Sequence, residues 1–517
     1  LNYLLGFAQD PLEIIPPSPQ ARKIIESIEY PINYQNGTTN ISVPIYNLQT
    51  SSLNLAISAS YSTTGVKVNE HDDLLGIKWM FQNGSGKITR IINDRPDNSN
   101  RFGNNSGWFN LQIDPDNLTD ADKINLEQNC YDLQPDYYFY ILPNGKTGKF
   151  SFDRQKEIVF FPQDEAIKIE VYNDYSLNSG FKLHDTNGNV FEFTDVELTN
   201  SNINCGFSSN APCPPSYNDE ITTWHLTKAY LNSGDIIEYT YEDCHVEDDY
   251  ISSQSITLKG VNPVPADNSH ILKTCHRTNI YKTKLLNKII YKGTSIELKY
   301  KSKKRLKEGK VLDQIICYNN SVKVDHYQFD FYNHPNHYFL KQINQISSLN
   351  KKMLLRKFEY EKTEHFPKKG SFSQDHFGYF NGKQNNQLLP KGNYYAYTYT
   401  GTGSPAYIFY DGADREMNPL KLQTGILKKI ILPTGGHIRF NYEPNEIYDD
   451  NIKNILHDIY NGFDFSNGNN TWKTVYSDYF FSEGNIVVDK LVFSIFDSSI
   501  PQAFYGPILY LEDENGN

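Results

Sequence analysis

Residues 225–242, HLTKAYLNSGDIIEYTYE, align without a gap to residues 426–443, ILKKIILPTGGHIRFNYE, and seven of the 18 positions are identical. These are Leu226/Leu427, Lys228/Lys429, Leu231/Leu432, Gly234/Gly435, Ile237/Ile438, Tyr241/Tyr442 and Glu242/Glu443. Apolar and aromatic residues at i, i+2 and i+4 after a central Gly put one set of side chains on one face of a strand leaving a tight turn, which is the pattern of a β-hairpin. A third copy, LNKIIYKGTSIELKY at 286–300, has a turn one residue shorter. A unit of this size cannot bury its aromatic face alone, so successive copies must stack. The repeat therefore predicts all-β structure: repeated antiparallel hairpins joined in long curved sheets.

The rest of the chain agrees. Stretches such as YYFYILPNGKTGKFSFD and GFKLHDTNGNVFEFTD read as strand, turn, strand, and Phe150/Phe152, Phe191/Phe193 and Phe358/Tyr360 repeat the aromatic-x-aromatic step. With 38 Tyr, 30 Phe, 4 Trp and only 3 Met, the composition favours pleated surfaces over helices. The best helical signal is 114–129, where Asp residues precede a short apolar period. A calcium loop through Asp114, Asp116, Asp120 and Asp122 would need a ligand where Leu118 stands and lacks its Gly, so capping is the better reading.

Organisation is expected as follows: a signal-peptide remnant at 1–9 with a cleavage-type Ala8, an extended Pro-rich lead-in at 10–27, a first β-rich region at 28–265, a second hairpin-repeat region at 266–445, and a β-rich segment at 446–517 that either continues the array or forms a sandwich of its own. No stretch of about 18 apolar residues is present, so no membrane-spanning helix is expected. The net charge of −12 argues against general nucleic-acid affinity. It hides a basic middle, since residues 271–370 carry 22 basic and 8 acidic side chains. Internal or partner complementarity is the preferred reading of that middle over a nucleic-acid site; the run KYKSKKRLKEGK at 299–310 reads as a solvated hairpin tip, with an anionic partner, a surface glycan or an acidic patch of the same protein, as the alternative.

Six cysteines allow 15 full pairings in an oxidising compartment. Cys205 and Cys213 bracket the turn-rich loop CGFSSNAPC and are the expected disulfide; zinc spacing is absent. Asp375 and His376 in QDHFGYFNG could be an acid/base pair, but no nucleophile motif accompanies them, so a structural turn is the preferred reading, as for His225 in TWHLTKAY. Asp414, Arg415 and Glu416 in GADRE read as a buried ion-pair corner rather than a catalytic carboxylate pair. Gly84 and Gly86 lack a strand, Gly-loop, helix context for phosphate and read as turns. No catalytic residue, metal or cofactor is expected.

The stretches SPQARKIIESIEYPINYQNGTTNISVPIYNL, ASYSTTGVKVNEHDDLLGIKWMFQNGSGKITR, NGKTGKFSFDRQKEIVFF, SQDHFGYFNGK and DGADREMNPLKLQTGILKKIILPTGGHIRFNYE occur in one order from Pro19 to Glu443. Together they resemble the N-terminal region of large secreted Rhs/YD-repeat proteins of Bacteroidota, which are polymorphic-toxin-like. Within them the structural-motif residues are Trp79, Gly84, Asp375, His376, Gly378, Asp414, Arg415, Gly435, Gly436 and Tyr442. The resemblance implies a secreted or cell-surface, non-enzymatic β-shell that encloses or presents an effector module from a downstream part of the same polypeptide. An extracellular adhesin or glycan-binding β-protein is the alternative, and a carbohydrate-active enzyme a third class. If the segment is a cut piece of wall, its concave face should be open and apolar.

Overall fold

The computed structural model describes residues 32–33 and 37–444, except 94, 99–106, 112, 114–116, 128–129, 163, 165, 173–179, 206–216, 258–270, 303–308 and 397–405. In chain order the strands are β1 (Ile32–Asn33), β2 (Thr38–Gln49), β3 (Asn54–Ser62), β4 (Asp72–Asp73), β5 (Gly76–Ile77), β6 (Trp79–Asn83), β7 (Lys87–Ile91), β8 (Tyr137–Ile141), β9 (Thr147–Phe152), β10 (Ile158–Phe160), β11 (Ile167–Val171), β12 (Phe181–Asp185) and β13 (Val190–Asn204). They continue with β14 (Tyr217–Tyr230), β15 (Ile236–Thr257), β16 (Ile271–Tyr291), β17 (Thr294–Ser302), β18 (Lys310–Asn319), β19 (Val322–Phe331), β20 (Leu340–Ile346), β21 (Lys352–Tyr360), β22 (Gly392–Ala396), β23 (Ala406–Tyr410), β24 (Leu427–Ile431) and β25 (His437–Arg439). Among the described residues the helical elements are α1 (Asp120–Glu127), α2 (Pro419–Leu422) and a 3-10 turn (Thr363–His365). Residues 1–445 form one compact unit and 446–517 a second, which lies outside the described residues, as do the segments read as signal remnant and lead-in.

All three repeat copies are hairpins. Lys228–Tyr230 pair with Ile236–Glu238, Lys288–Tyr291 with Thr294–Glu297, and Lys429–Ile431 with His437–Arg439. The turn chemistry recurs: the N–H of Leu231 donates to the Asp235 carbonyl at 2.8 Å and that of Gly234 to Leu231 at 2.9 Å, and Leu432, Gly435 and Gly436 repeat this at 2.8 and 3.0 Å. Gly234 has φ +85°, a left-handed conformation that closes a three-residue hairpin loop. Lys156 takes the same position in the β9–β10 turn with φ 67°. Side chains alternate as the pattern requires. Ile237 and Tyr239 are buried while Glu238 and Thr240 are exposed; Ile438, Phe440 and Tyr442 are half-buried while Arg439 and Asn441 are exposed.

Each copy is fastened by its last tyrosine. Tyr241 donates its hydroxyl to the Leu226 carbonyl at 2.7 Å, Tyr300 to Leu286 at 2.7 Å and Tyr442 to Leu427 at 2.8 Å. The identical Leu and Tyr of the repeat are thus the two ends of one clasp across the hairpin. Tyr360 does the same to Leu340 at 2.8 Å.

The strands β7 to β21 with β24 and β25, seventeen in all, hydrogen-bond into one curled antiparallel sheet. It closes through four long strands: β13 pairs with β14, β14 with β15, β15 with β16, and β16 back with β13. The β15–β16 ladder runs from Ile237↔Tyr291 to Thr257↔Ile271, so the regions on either side of residue 265 share one sheet.

The disulfide needs correction. Cys205 is bonded to Cys275, so the expected Cys205–Cys213 bridge does not form; Cys213 itself lies outside the described residues. The reason is the ladder: β13 runs beside β16 until Asn204↔His276, which delivers Cys205 next to Cys275. Cys130 is also disulfide-bonded, and Cys244 and Cys317 are buried thiols outside any disulfide.

A smaller sheet, β1-β2-β3-β6, covers the core-facing side of the hairpins. Its alternating Ile41, Val43, Leu55, Ile57, Ala59 and Tyr61 join Ile237, Ile289, Ile296, Ile315, Phe329, Phe358 and Ile430 in one buried apolar cluster. Inner tyrosines of the hairpins reach it: Tyr239 to the Gly84 carbonyl at 3.5 Å, and Tyr291 accepting from the Ser51 N–H at 3.2 Å. The expected open apolar concavity is therefore filled, because residues 38–83 of the same chain supply its second layer.

The basic middle finds acids within the chain: Lys282 with Asp219 at 2.6 Å, Lys284 with Asp195 at 2.9 Å, and Lys310 with Glu242 at 2.6 Å. Residues 303–308, half of the run at 299–310, lie outside the described residues. Helix α1 is shorter than the 114–129 signal and is capped by Thr119, whose hydroxyl accepts from the Asp122 N–H while Asp122 accepts from the Thr119 N–H.

Candidate functional site

Two excursions leave the sheets and meet. One is residues 63–78, between β3 and β6. The other is residues 361–426, which emerge between the adjacent strands β21 and β24; reciprocal backbone bonds, Glu361 N–H to Ile426 at 2.9 Å and Gly425 N–H to Glu361 at 2.7 Å, clamp its ends. Val68 donates its N–H to the Gly378 carbonyl at 2.9 Å, Tyr379 its hydroxyl to Thr64 at 2.9 Å, and Gly370 its N–H to Asn69 Oδ1 at 2.9 Å. An open cavity of about 300 Å³ lies at this junction, lined by Thr64, Lys67, Glu70, Lys78, Gln374 and Tyr379.

The Asp375 turn anchors the second excursion. Asp375 is buried, and its Oδ1 accepts from the N–H groups of Phe377 and Tyr379, both at 2.9 Å. Gly378, at φ +90°, completes the turn. His376 is exposed and Phe377 is 72% exposed at the tip, so the turn presents the pair outward rather than joining His376 to Asp375. The ion-pair corner expected at 414–416 is also corrected. Arg415 donates to the backbone carbonyls of Asp375 and of Leu388, the latter at 3.0 Å. Asp414 instead pairs with Lys383 at 3.0 Å, a bond that holds its pKa below the usual carboxylate value, and Glu416 is exposed. Main-chain carbonyls won the guanidinium because the two loops are folded around one another.

The junction is tied to the curled sheet by buried charge. His337 Nδ1 lies 3.2 Å from Asp72 Oδ1 and its Nε2 3.1 Å from the Pro367 carbonyl. Asp248 of β15 meets His71 Nε2 at 3.0 Å and Lys369 as well. Burial works against its charge, but those two hydrogen bonds win and hold its pKa low.

A second cluster carried no local sequence signal. Arg90 donates its Nε–H to Asp136 Oδ2 at 2.7 Å in the interior, and Asp97 accepts the Asp136 N–H at 2.9 Å. Asp97 Oδ2 is buried without a hydrogen-bond partner. Burial first, and the Asp136 charge second, push the Asp97 carboxyl up to about 8. Among the described residues no group of three or more His, Cys, Asp or Glu is arranged to hold a metal ion.

Trp79, singled out in the sequence, is fully enclosed: its ring meets Phe358 at 4.6 Å and Tyr61 at 5.2 Å. Gly84 has φ +72° in the β6–β7 turn. Opposite the core, β7 to β10 carry an outward apolar face of Ile91, Phe139, Ile141, Val159 and Phe161, each 38–49% exposed. In its middle, Lys149 Nζ lies 3.5 Å from the Tyr137 ring centre and 5.6 Å from those of Phe139 and Phe161. Sequence reading missed this face because its residues alternate with the core-facing aromatics Tyr138, Tyr140, Phe150 and Phe152 in the same strands.

The fold defines an all-β protein of consecutive clasped hairpins wound into one curled sheet. No protein-family model and no curated protein matches the chain. Among solved structures, the complex TcdB2-TccC3 is similar at 9% identity and a TM-score of 0.36 over 74% of this chain and 20% of that one. A Photorhabdus luminescens Tc holotoxin pore is similar at 8% identity and 0.34, over 64% and 16%. The N-terminal domain of effector protein SpvB from Salmonella typhimurium strain LT2 is similar at 10% identity and 0.31, over 59% and 98%. The chain spans about a fifth of the first of these structures.

Proposed function

We propose that this chain is a non-enzymatic β-shell segment of a secreted or cell-surface Rhs/YD-repeat-like protein, whose work is to hold or present another part of its own polypeptide. The observation that carries this reading is the continuous wall, in which seventeen strands of consecutive clasped hairpins join edge to edge in one curled sheet, although residues 38–83 fill its concavity. The test is protease protection of the protein as recovered from the cells that make it. The reading expects C-terminal material to survive digestion in association with residues 38–444. Digestion of that material at the rate of the free module would overturn it.

The outward face around Lys149 favours a second reading, an extracellular glycan-binding or adhesive protein, since flat aromatic rings bind at low entropy cost. Retention of the full chain on insoluble polysaccharide, lost in Phe139→Ala/Phe161→Ala, would support it; equal retention of both proteins would remove it.

A further inference from the structure

We propose that the Cys205–Cys275 disulfide is a reducible latch on the ring formed by β13, β14, β15 and β16. The bridge sits one residue beyond the last β13–β16 pair, Asn204↔His276, and joins residues 70 apart in sequence. It therefore fastens the side of the ring with the least buried apolar lining.

The four sides differ in what holds them. The β14–β15 side pairs Ala229 with Ile237, both fully buried. The β15–β16 side runs along nearly the whole of both strands, and β13–β14 pairs from Val190↔Tyr230 onward through the buried Phe191 and Phe193. The β13–β16 side instead pairs Leu198–Asn204 with Lys282–His276. Its sequence is LTNSNIN, and of these residues only Ser201 is buried. A largely polar, half-buried ladder with little apolar burial opens at lower cost than the other three sides, so covalent closure decides whether it stays shut.

Both cysteines are half-buried, within reach of a small thiol. A thiolate of glutathione or dithiothreitol attacks one sulfur, forming a mixed disulfide and releasing the other cysteine as a thiolate. A second thiol resolves the mixed disulfide, leaving two protein thiols and one oxidised reagent. Cys244 and Cys317, as buried thiols outside any disulfide, stand apart from this exchange. In an oxidising exterior the ring is latched; in a reducing compartment β13 is free to leave β16 while the other three sides persist. The inference stands on ring geometry alone and does not need the shell reading.

Hydrogen exchange on the full chain tests it. Dithiothreitol should accelerate exchange at least tenfold in peptides spanning 198–204 and 276–282, with 286–300 unchanged. Cys205→Ser/Cys275→Ser, which keeps the Cys130 disulfide, should exchange rapidly there without reductant and respond no further to it. Unchanged exchange at 198–204 on reduction, acceleration spread equally over 286–300, or a double variant as slow as the oxidised protein would each overturn the latch.

Discussion

Trp79 donates its indole N–H to the Tyr360 hydroxyl at 2.8 Å, and that hydroxyl in turn donates a hydrogen bond to the Leu340 carbonyl at 2.8 Å. The relay runs from the inner sheet through two strands of the wall, between residues 281 apart in sequence. Truncating Trp79 removes both the ring that fills the space beside Phe358 and the donor. Trp79→Ala should cost about 3–5 kcal/mol in urea unfolding. Tyr360→Phe should cost about 1–3 kcal/mol, since it strands a buried donor and a buried carbonyl. A Tyr360→Phe variant as stable as the parent would show that the relay contributes nothing.

The repeat clasps make a comparative prediction. Tyr241→Phe, Tyr300→Phe and Tyr442→Phe each remove one hydroxyl and leave one leucine carbonyl without its partner, so each should destabilise by about 1 kcal/mol. Burial pushes the pKa of Tyr300 well above its usual value. The effect of Tyr442→Phe should add to either of the others, while Tyr241→Phe and Tyr300→Phe should couple, because Tyr241 is the ladder partner of Leu286, the acceptor of Tyr300. Urea midpoints of the single and double variants check this.

Turn chemistry predicts effects of opposite sign at equivalent places. Gly234→Ala forces a β-carbon into φ +85° and should destabilise by about 1 kcal/mol. Lys156→Gly relieves the same strain at φ 67° and should stabilise by up to about 1 kcal/mol. Thermal melts of the two variants give the signs directly.

Asp97 predicts a pH dependence. Its folded-state pKa is raised to about 8 by burial and then by Asp136, so the stability linked to its protonated form is full below the unfolded value of about 4 and is lost as pH rises through 8. Asp97→Asn keeps an oxygen for the Asp136 N–H and removes the ionisation. Unfolding free energy measured from pH 5 to 9 should fall with pH in the parent, by up to about 1.4 kcal/mol per unit, and fall less steeply in the variant. Parallel curves would refute the assignment.

What could be read in the sequence was local. The hairpins at 225–242, 286–300 and 426–443 follow from alternation and a central Gly, and all three are present, with their faces as the alternation dictates. The Tyr241 and Leu226 identity was visible, but that the two touch required the fold. What failed was non-local. Loop length brings Cys205 near Cys213, yet a seven-residue ladder between strands far apart in sequence carries it to Cys275. Likewise GADRE is an ion-pair string on paper, and only the packing of 375–388 against it offers Arg415 two carbonyls. The buried set of Arg90, Asp97 and Asp136 is assembled from loops and a strand whose sequence looks like polar surface.

The clamp at Glu361, Gly425 and Ile426 has an evolutionary consequence. Because β21 and β24 pair directly, the sheet is continuous whether or not anything hangs between them, and the cost of a longer tether rises only logarithmically with its length. Residues 362–424 thus occupy a socket. Lineages could exchange the contents of that socket, or an engineer could graft a foreign domain there, with the strand register on either side preserved.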